Sequence, residues 1–273
     1  MSKKLAFISD IHGNILALQA VLEDIEEAEV DGIYCLGDLV GYGTRPNEVI
    51  ELIREREIPT IMGNYDDGVG NDREDCGCAY PDPEEARLGD LSLEWTKKEV
   101  TPENRRFLAE LPKTREVEAG SYRFKLVHGS PRRINEYLYI DRPAKSLNRF
   151  FQDEDFEVLV CGHTHLPYVR LLEGGIIIND GTAGKPKRFG SGEQDYSPAV
   201  SYALVRAAGA GGGERGGEVA GGESVGEVKG DAGPAREISV ELRTVKYDQD
   251  KAAREIEASG LPDHFAEILR GRA

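Results

Sequence analysis

From residue 4 to residue 62 the chain alternates short apolar runs with amphipathic ones, and this alternation narrows its possible folds more than any other feature. "KLAFIS" (4–9), "GIYCL" (32–36) and "IPTIM" (58–62) have the length and apolar character of buried strands. Between the first two lies "ILALQAVLEDIEEA" (15–28), which places Ile15, Leu18, Leu22 and Ile25 at spacings of three and four. That is the stripe of an amphipathic helix, with Asn14 positioned as its N-cap. "RPNEVIELIRERE" (45–57) predicts a second helix with Pro46 in its first turn. A β-α-β-α-β order implies right-handed crossovers and a largely parallel pairing at the start.

After this the pattern changes. Residues 66–119 begin glycine- and aspartate-rich and continue with helix-like segments at Glu84–Val100 and Pro102–Leu111, which predicts an insertion that packs over one end of the sheet as a lid. Strand signals resume with "YRFKLV", "FEVLV", "GIIIN" and "SYALV", interrupted by a helical "AKSLNRFF". Residues 207–236 are glycine-rich and poor in apolar bulk, so they predict a mobile loop joining "SYALVR" to "ISVELRTVKYD". A helix at Lys251–Ser259 and a short tail close what reads as one domain over residues 1–273.

The chemistry gathers where the strands stop. "LAFIS" is followed by Asp10-Ile11-His12-Gly13-Asn14, "GIYCL" by Gly37-Asp38, and "IPTIM" by Gly63-Asn64-Tyr65-Asp66. "FKLV" meets His128-Gly129, and "VLVC" meets Gly162-His163-Thr164-His165. Ligands of open α/β sheets bind outside the carboxyl ends of strands, so these loops can converge on one point. Of the 5 histidines only His264 lies elsewhere. A metal site built from Asp10, His12, Asp38, Asn64, His128, His163 and His165 explains this sorting. Imidazole, carboxylate and amide oxygen without thiolate suit Mn²⁺, Fe or Zn²⁺, with Ni²⁺ usable in vitro. So many ligands exceed the needs of one such ion and match two if Asp38, alone in its loop, bridges them.

The ordered series D-x-H, G-D, G-N-x-D, H-G and G-H-T-H resembles the calcineurin-like binuclear metallophosphoesterases over roughly residues 5–206. The stretch Gly37-Asp38-Leu39-Val40-Gly41-Tyr42-Gly43 is similar to the small bacterial and archaeal phosphodiesterase/phosphatase branch of that family. The resemblance implies an α/β fold, a four-layer α-β-β-α sandwich of two mixed sheets flanked by helices. It implies one metal on Asp10, His12, Asp38 and His165, and a second on Asp38, Asn64, His128 and His163. A hydroxide bridging two divalent ions would attack phosphorus in line, with Asp38, Asn64, His163 and Tyr65 as the catalytic candidates. Relatives often carry histidine where Tyr65 stands. A phenol is a poor proton donor at pH 7, so Tyr65 implies either a weak acid step that favours good leaving groups or a ring packed under its loop.

Arg132 and Arg133 follow the His128 motif, and Lys185, Lys187 and Arg188 follow another strand end. These clusters are either holders of phosphate oxygens or ordinary solvated charge. Asn14 and Asp66, beside the ligand motifs, complete the candidate substrate contacts. The net charge of −16 argues against stable nucleic-acid binding, which needs a basic face. A small phosphodiester, nucleotide or dinucleoside polyphosphate is the leading substrate class. A phosphomonoesterase or phosphoprotein phosphatase is the alternative, and a non-catalytic protein-binding scaffold comes after both. The 4 cysteines show no disulfide spacing, and Cys76 and Cys78 read as plain loop thiols. No signal peptide or membrane-spanning run is present, so the expectation is a cytoplasmic monomer or homo-oligomer.

Overall fold

The structure, a computed structural model, describes residues 2–78, 82–152, 154–187, 199–209, 227–231 and 237–272. The chain runs β1 (Lys3–Ile8), α1 (Ile15–Glu27), β2 (Gly32–Cys35) and α2 (Pro46–Glu55), then α3 (Asn64–Gly70), α4 (Pro83–Glu99) and α5 (Pro102–Glu110). Next come β3 (Thr114–Ala119), β4 (Tyr122–Val127), α6 (Ala144–Asn148), β5 (Val158–Cys161), β6 (Tyr168–Leu171) and β7 (Ile176–Asn179). It ends with β8 (Val200–Ala207), β9 (Glu227–Asp231), β10 (Glu237–Val245), α7 (Gln249–Glu257) and α8 (Asp263–Leu269). No helix among the described residues is long and apolar enough to cross a membrane.

The strands form two five-stranded mixed sheets, ordered β2-β1-β8-β10-β9 and β3-β4-β5-β7-β6. Side-chain alternation along each strand produces the layers. On β1, Leu5 and Phe7 face the second sheet and pack with Phe124 and Leu126 of β4 and Val158 and Val160 of β5. Ala6 and Ile8 point the other way, into a core shared with α1, α2, α7 and α8. Leu159 and Cys161 of β5 cover the far side of the second sheet, where Leu147 of α6 and Phe150 pack. The result is the expected α-β-β-α sandwich, with a thin outer layer around α6.

The helices begin where the sequence supplies caps. Asn14 accepts from the Ala17 amide at 3.1 Å, and Thr101 caps α5 from the Asn104 amide at 3.2 Å with Pro102 following. Some expectations change. β1 and β2 are parallel, but "IPTIM" contributes only an isolated bridge from Thr60 to Cys35, because the chain turns at Gly63 before pairing can extend. Residues 66–119 contain most of α3, then α4, α5 and also β3, which pairs antiparallel with β4 as a sheet edge. Within the stretch read as a mobile loop, residues 227–231 pair with β10 as β9, and residues 210–226 and 232–236 lie outside the described residues. The expected short tail contains α8.

Candidate metal centre

The parallel pair β1 and β2 and the parallel trio β4, β5 and β7 all end at one edge of the sandwich. Backbone hydrogen bonds bind the loops beyond them together. The Asp10 amide donates to the Gly37 carbonyl at 3.0 Å, the His12 amide to the Asp38 carbonyl at 3.0 Å, and the Gly162 amide to the His128 carbonyl at 3.0 Å. This close stacking leaves no room for side chains at certain points. A Cβ on Gly63 would overlap the Asp38 carboxylate.

Two triads result, Asp10-His12-His165 and Asp38-His128-His163, with the ligand-type atoms of each within 4.8 Å of one another. In both carboxylates one oxygen is held by the protein and the other faces the centre. Asp10 Oδ2 accepts from the Ser9 hydroxyl at 2.6 Å and the His163 amide at 2.8 Å. Its Oδ1 is buried without a hydrogen-bond partner and lies 3.2 Å from His165 Nε2. Asp38 Oδ1 accepts from the Tyr65 amide at 2.8 Å. Its Oδ2 lies 3.4 Å from His128 Nε2 and 3.7 Å from His12 Nε2, between the two triads.

The imidazoles are oriented in the same way. Nδ1 of His12 donates to the Val40 carbonyl (2.9 Å), that of His128 to Leu36 (2.9 Å) and that of His165 to Lys185 (2.7 Å). Each bond sets the tautomer and leaves an Nε2 lone pair for the centre. His12 Nε2 and His165 Nε2 then face each other at 3.2 Å, and His163 Nε2 is buried without a hydrogen-bond partner. Two facing lone pairs repel unless positive charge lies between them, so the donor set fits divalent cations of the nitrogen- and oxygen-binding kind. Asn64 Oδ1 also faces inward, 3.0 Å from His128 Nε2, while its amide nitrogen donates to the Cys76 carbonyl and the Cys78 sulfur, both at 3.2 Å.

The electrostatics describe the same need. Burial works to raise the Asp10 carboxyl, but the His165 and His12 imidazoles outweigh it and hold Asp10 well below the usual range. Burial also works to lower His128, and the adjacent Asp38 carboxylate overrides it and lifts the imidazole to about 10. His163 is pushed down to about 3 by burial and then by His128, and His165 to about 4 by burial. The ionised carboxylates and the neutral His163 and His165 are in the protonation states that bind metal, whereas His128 would give up the proton that Asp38 holds on it when an ion binds.

The other sequence candidates fall elsewhere. Tyr65 is buried, and its hydroxyl donates to the Gly89 carbonyl of α4 at 3.4 Å. Asn14 caps α1 and donates to the Gly184 carbonyl (2.8 Å) and the Tyr247 hydroxyl (3.0 Å). Asp66 buckles the loops together, accepting from the amides of Asp38 (2.8 Å), Gly63 (2.9 Å) and Leu39 (2.9 Å). Arg132 is paired with Glu136 at 2.6 Å and lies 4.8 Å over the Phe150 ring, while Arg133 is exposed. Lys185 sits 4.1 Å over the Tyr42 ring, with its pKa lowered to about 8 by burial and then by Lys187. Arg188 lies outside the described residues.

Ser9 and Asp180 stand behind the first triad. Ser9 Oγ lies 2.6 Å from Asp10 Oδ2 and 2.7 Å from Asp180 Oδ1, and one hydroxyl hydrogen cannot serve both. Burial raises Asp180 well above the ordinary carboxylate value, the direction that favours a proton shared along the chain Asp180–Ser9–Asp10. The sequence Asn179-Asp180-Gly181-Thr182 reads as a strand-end turn near the site, and Asp180 directly follows the end of β7, but the role of Ser9 had no signal in the sequence.

Comparison with known proteins agrees with this geometry. The family model described as the calcineurin-like phosphoesterase superfamily domain matches residues 4–206. An uncharacterized protein of Methanocaldococcus jannaschii is 32% identical over 271 residues, covering 97% of this chain and 96% of its own. The crystal structure of a metallophosphoesterase from Sphaerobacter thermophilus is similar with a TM-score of 0.67 at 27% identity, over 100% of both chains. A hypothetical protein of Pyrococcus horikoshii shares the fold with a TM-score of 0.73 at 23% identity, over 97% of both chains. The chain belongs to the calcineurin-like phosphoesterase superfamily, a family of metal-dependent phosphoester hydrolases.

Proposed function

We propose that the protein hydrolyses a small phosphodiester, a nucleotide or a dinucleoside polyphosphate at a two-cation centre. Asp10, His12, Asp38 and His165 would hold one ion, and Asp38, Asn64, His128 and His163 the other. The observation that carries this reading is the pair of abutting triads, each with its free lone pairs turned inward and Asp38 Oδ2 within reach of both. When bound, two divalent ions supply an activated water and neutralise charge on the phosphoryl oxygens.

The chain's own side chains set the geometry. The Ser9 hydroxyl and the His163 amide fix the rotation of Asp10, and the Tyr65 amide fixes that of Asp38. Lys185, protonated below pH about 8, offers a cation beside the first triad. The Tyr65 hydroxyl is directed at the Gly89 carbonyl, which supports a weak acid step and esters with good leaving groups.

The test is a hydrolysis panel on metal-stripped protein reloaded with Mn²⁺, Fe²⁺, Zn²⁺ or Ni²⁺. Aryl monoesters, aryl diesters, cyclic nucleotides and dinucleoside polyphosphates are compared. Turnover should depend on added metal and vanish in Asp38→Asn. Metal-independent turnover, or none on any ester, would overturn the reading.

A further inference from the structure

A ladder of aromatic rings leads outward from the second triad. The Tyr137 ring stacks on the His163 imidazole with centroids 4.1 Å apart and planes at 23°. Tyr139 stacks on Tyr137 at 5.5 Å and 5°. Tyr137 is half-buried, while Tyr139 is 37% exposed, one of the few large apolar side chains left to solvent among the described residues. Leu138 between them is buried in the core beside α6, so the two tyrosines share one face of the loop.

This platform is built to be rigid. Tyr168 donates from its hydroxyl to the Leu138 carbonyl at 2.6 Å, and Glu136 is held by Arg132 at 2.6 Å and Arg142 at 2.8 Å. Lys187 sets its ammonium 5.9 Å from the Tyr137 centroid and 6.0 Å from that of Tyr139, alongside the ladder. A flat aromatic surface, a cation beside it and a candidate phosphoryl site at its foot have a common ligand chemistry. A planar heterocycle stacks on the ring, and its phosphates run past the cation toward the centre.

We infer that Tyr139, supported by Tyr137, receives the nucleobase of a nucleotide substrate, and that Lys187 guides its phosphate chain. This rests on the phosphoesterase reading and narrows its substrate class. Tyr139 stands two ring-to-ring steps out from His163, 5.5 and 4.1 Å between centroids, so a base stacked there favours more than one phosphate between the sugar and the centre. The substrate is therefore a nucleoside or dinucleoside polyphosphate, cut beyond the phosphate nearest the sugar.

Equilibrium binding to Mn²⁺-loaded protein tests this without turnover. The probes are adenosine 5′-(α,β-methylene)diphosphate, whose bridge resists hydrolysis, and methylenediphosphonate, its base-free counterpart. The nucleotide should bind at least about 10-fold tighter, as base–aromatic stacking allows. Tyr139→Ala should remove most of that advantage and Tyr139→Trp should keep it, with melting curves confirming that both variants fold. Equal affinity for the two probes, or an undiminished ratio in Tyr139→Ala, overturns the inference. Failure of the phosphoesterase reading shows separately, as a base preference in binding with no metal-dependent turnover.

Discussion

Asp10, His12, Asp38, His163 and His165 have φ values of 53°, 50°, 55°, 63° and 60°, the left-handed region that side chains with a Cβ avoid. Such strain persists only where the surroundings enforce it, and here it aims five donors inward from tight turns. His165→Gly and His165→Ala remove the same imidazole but differ in backbone freedom. We expect the glycine variant to be more stable by ~1 kcal/mol in urea denaturation under chelator, and a more stable alanine variant would show that the turn is unstrained. Tyr65 gives a second residue-scale expectation. With its hydroxyl directed at the Gly89 carbonyl, Tyr65→Phe should retain turnover within about 3-fold, the effect of one modest hydrogen bond. The rate should fall steeply across a series of increasingly basic leaving groups in both proteins. The ligands were legible because metal-competent residues at strand ends have few other uses. Tyr137 and Tyr139 were not, because "NEYLYI" carries no periodicity and its meaning comes from His163, which is distant in sequence.

At the scale of elements, the connection between β4 and α6 depends on Glu136. Burial opposes its ionisation, but Ser130, Arg132 and Arg142 outweigh burial and bring the carboxyl to about 2 from the ordinary 4.5. A depressed carboxylate contributes stability above its unfolded pKa and loses it as pH falls toward the folded value. Wild type should therefore exceed Glu136→Gln by on the order of 1–2 kcal/mol at pH 7, allowing for the half-exposed Arg132. The gap should shrink between pH 4.5 and pH 2, and a gap independent of pH would refute the ionic account. The helices α1, α2, α4, α5, α6 and α7 were legible in the sequence, whereas the short α3 and α8 were not. β3, β6 and β9 were not, since an edge strand is defined by its partner and "TREVEA" is mostly exposed. "IPTIM" failed in the opposite sense: its apolar residues fill the core, yet its backbone pairs only at Thr60.

For the whole molecule, each triad draws on both sheets. Asp10 and His12 follow β1 and Asp38 follows β2, while His128 follows β4 and His163 and His165 follow β5. Bound ions should tie the sheets together, so EDTA should lower the melting temperature, by ~4 kcal/mol of stability for metal held at a thousandfold over its Kd. Unchanged melting on metal removal would count against ions at this edge. The first sheet takes β1 and β2 from the start of the chain and β8 to β10 from its end, enclosing the whole of the second sheet between them. The ligand turn after β1 is therefore braced by strands that follow the second sheet along the chain, and the two sheets must meet before Asp10 and His165 can face each other.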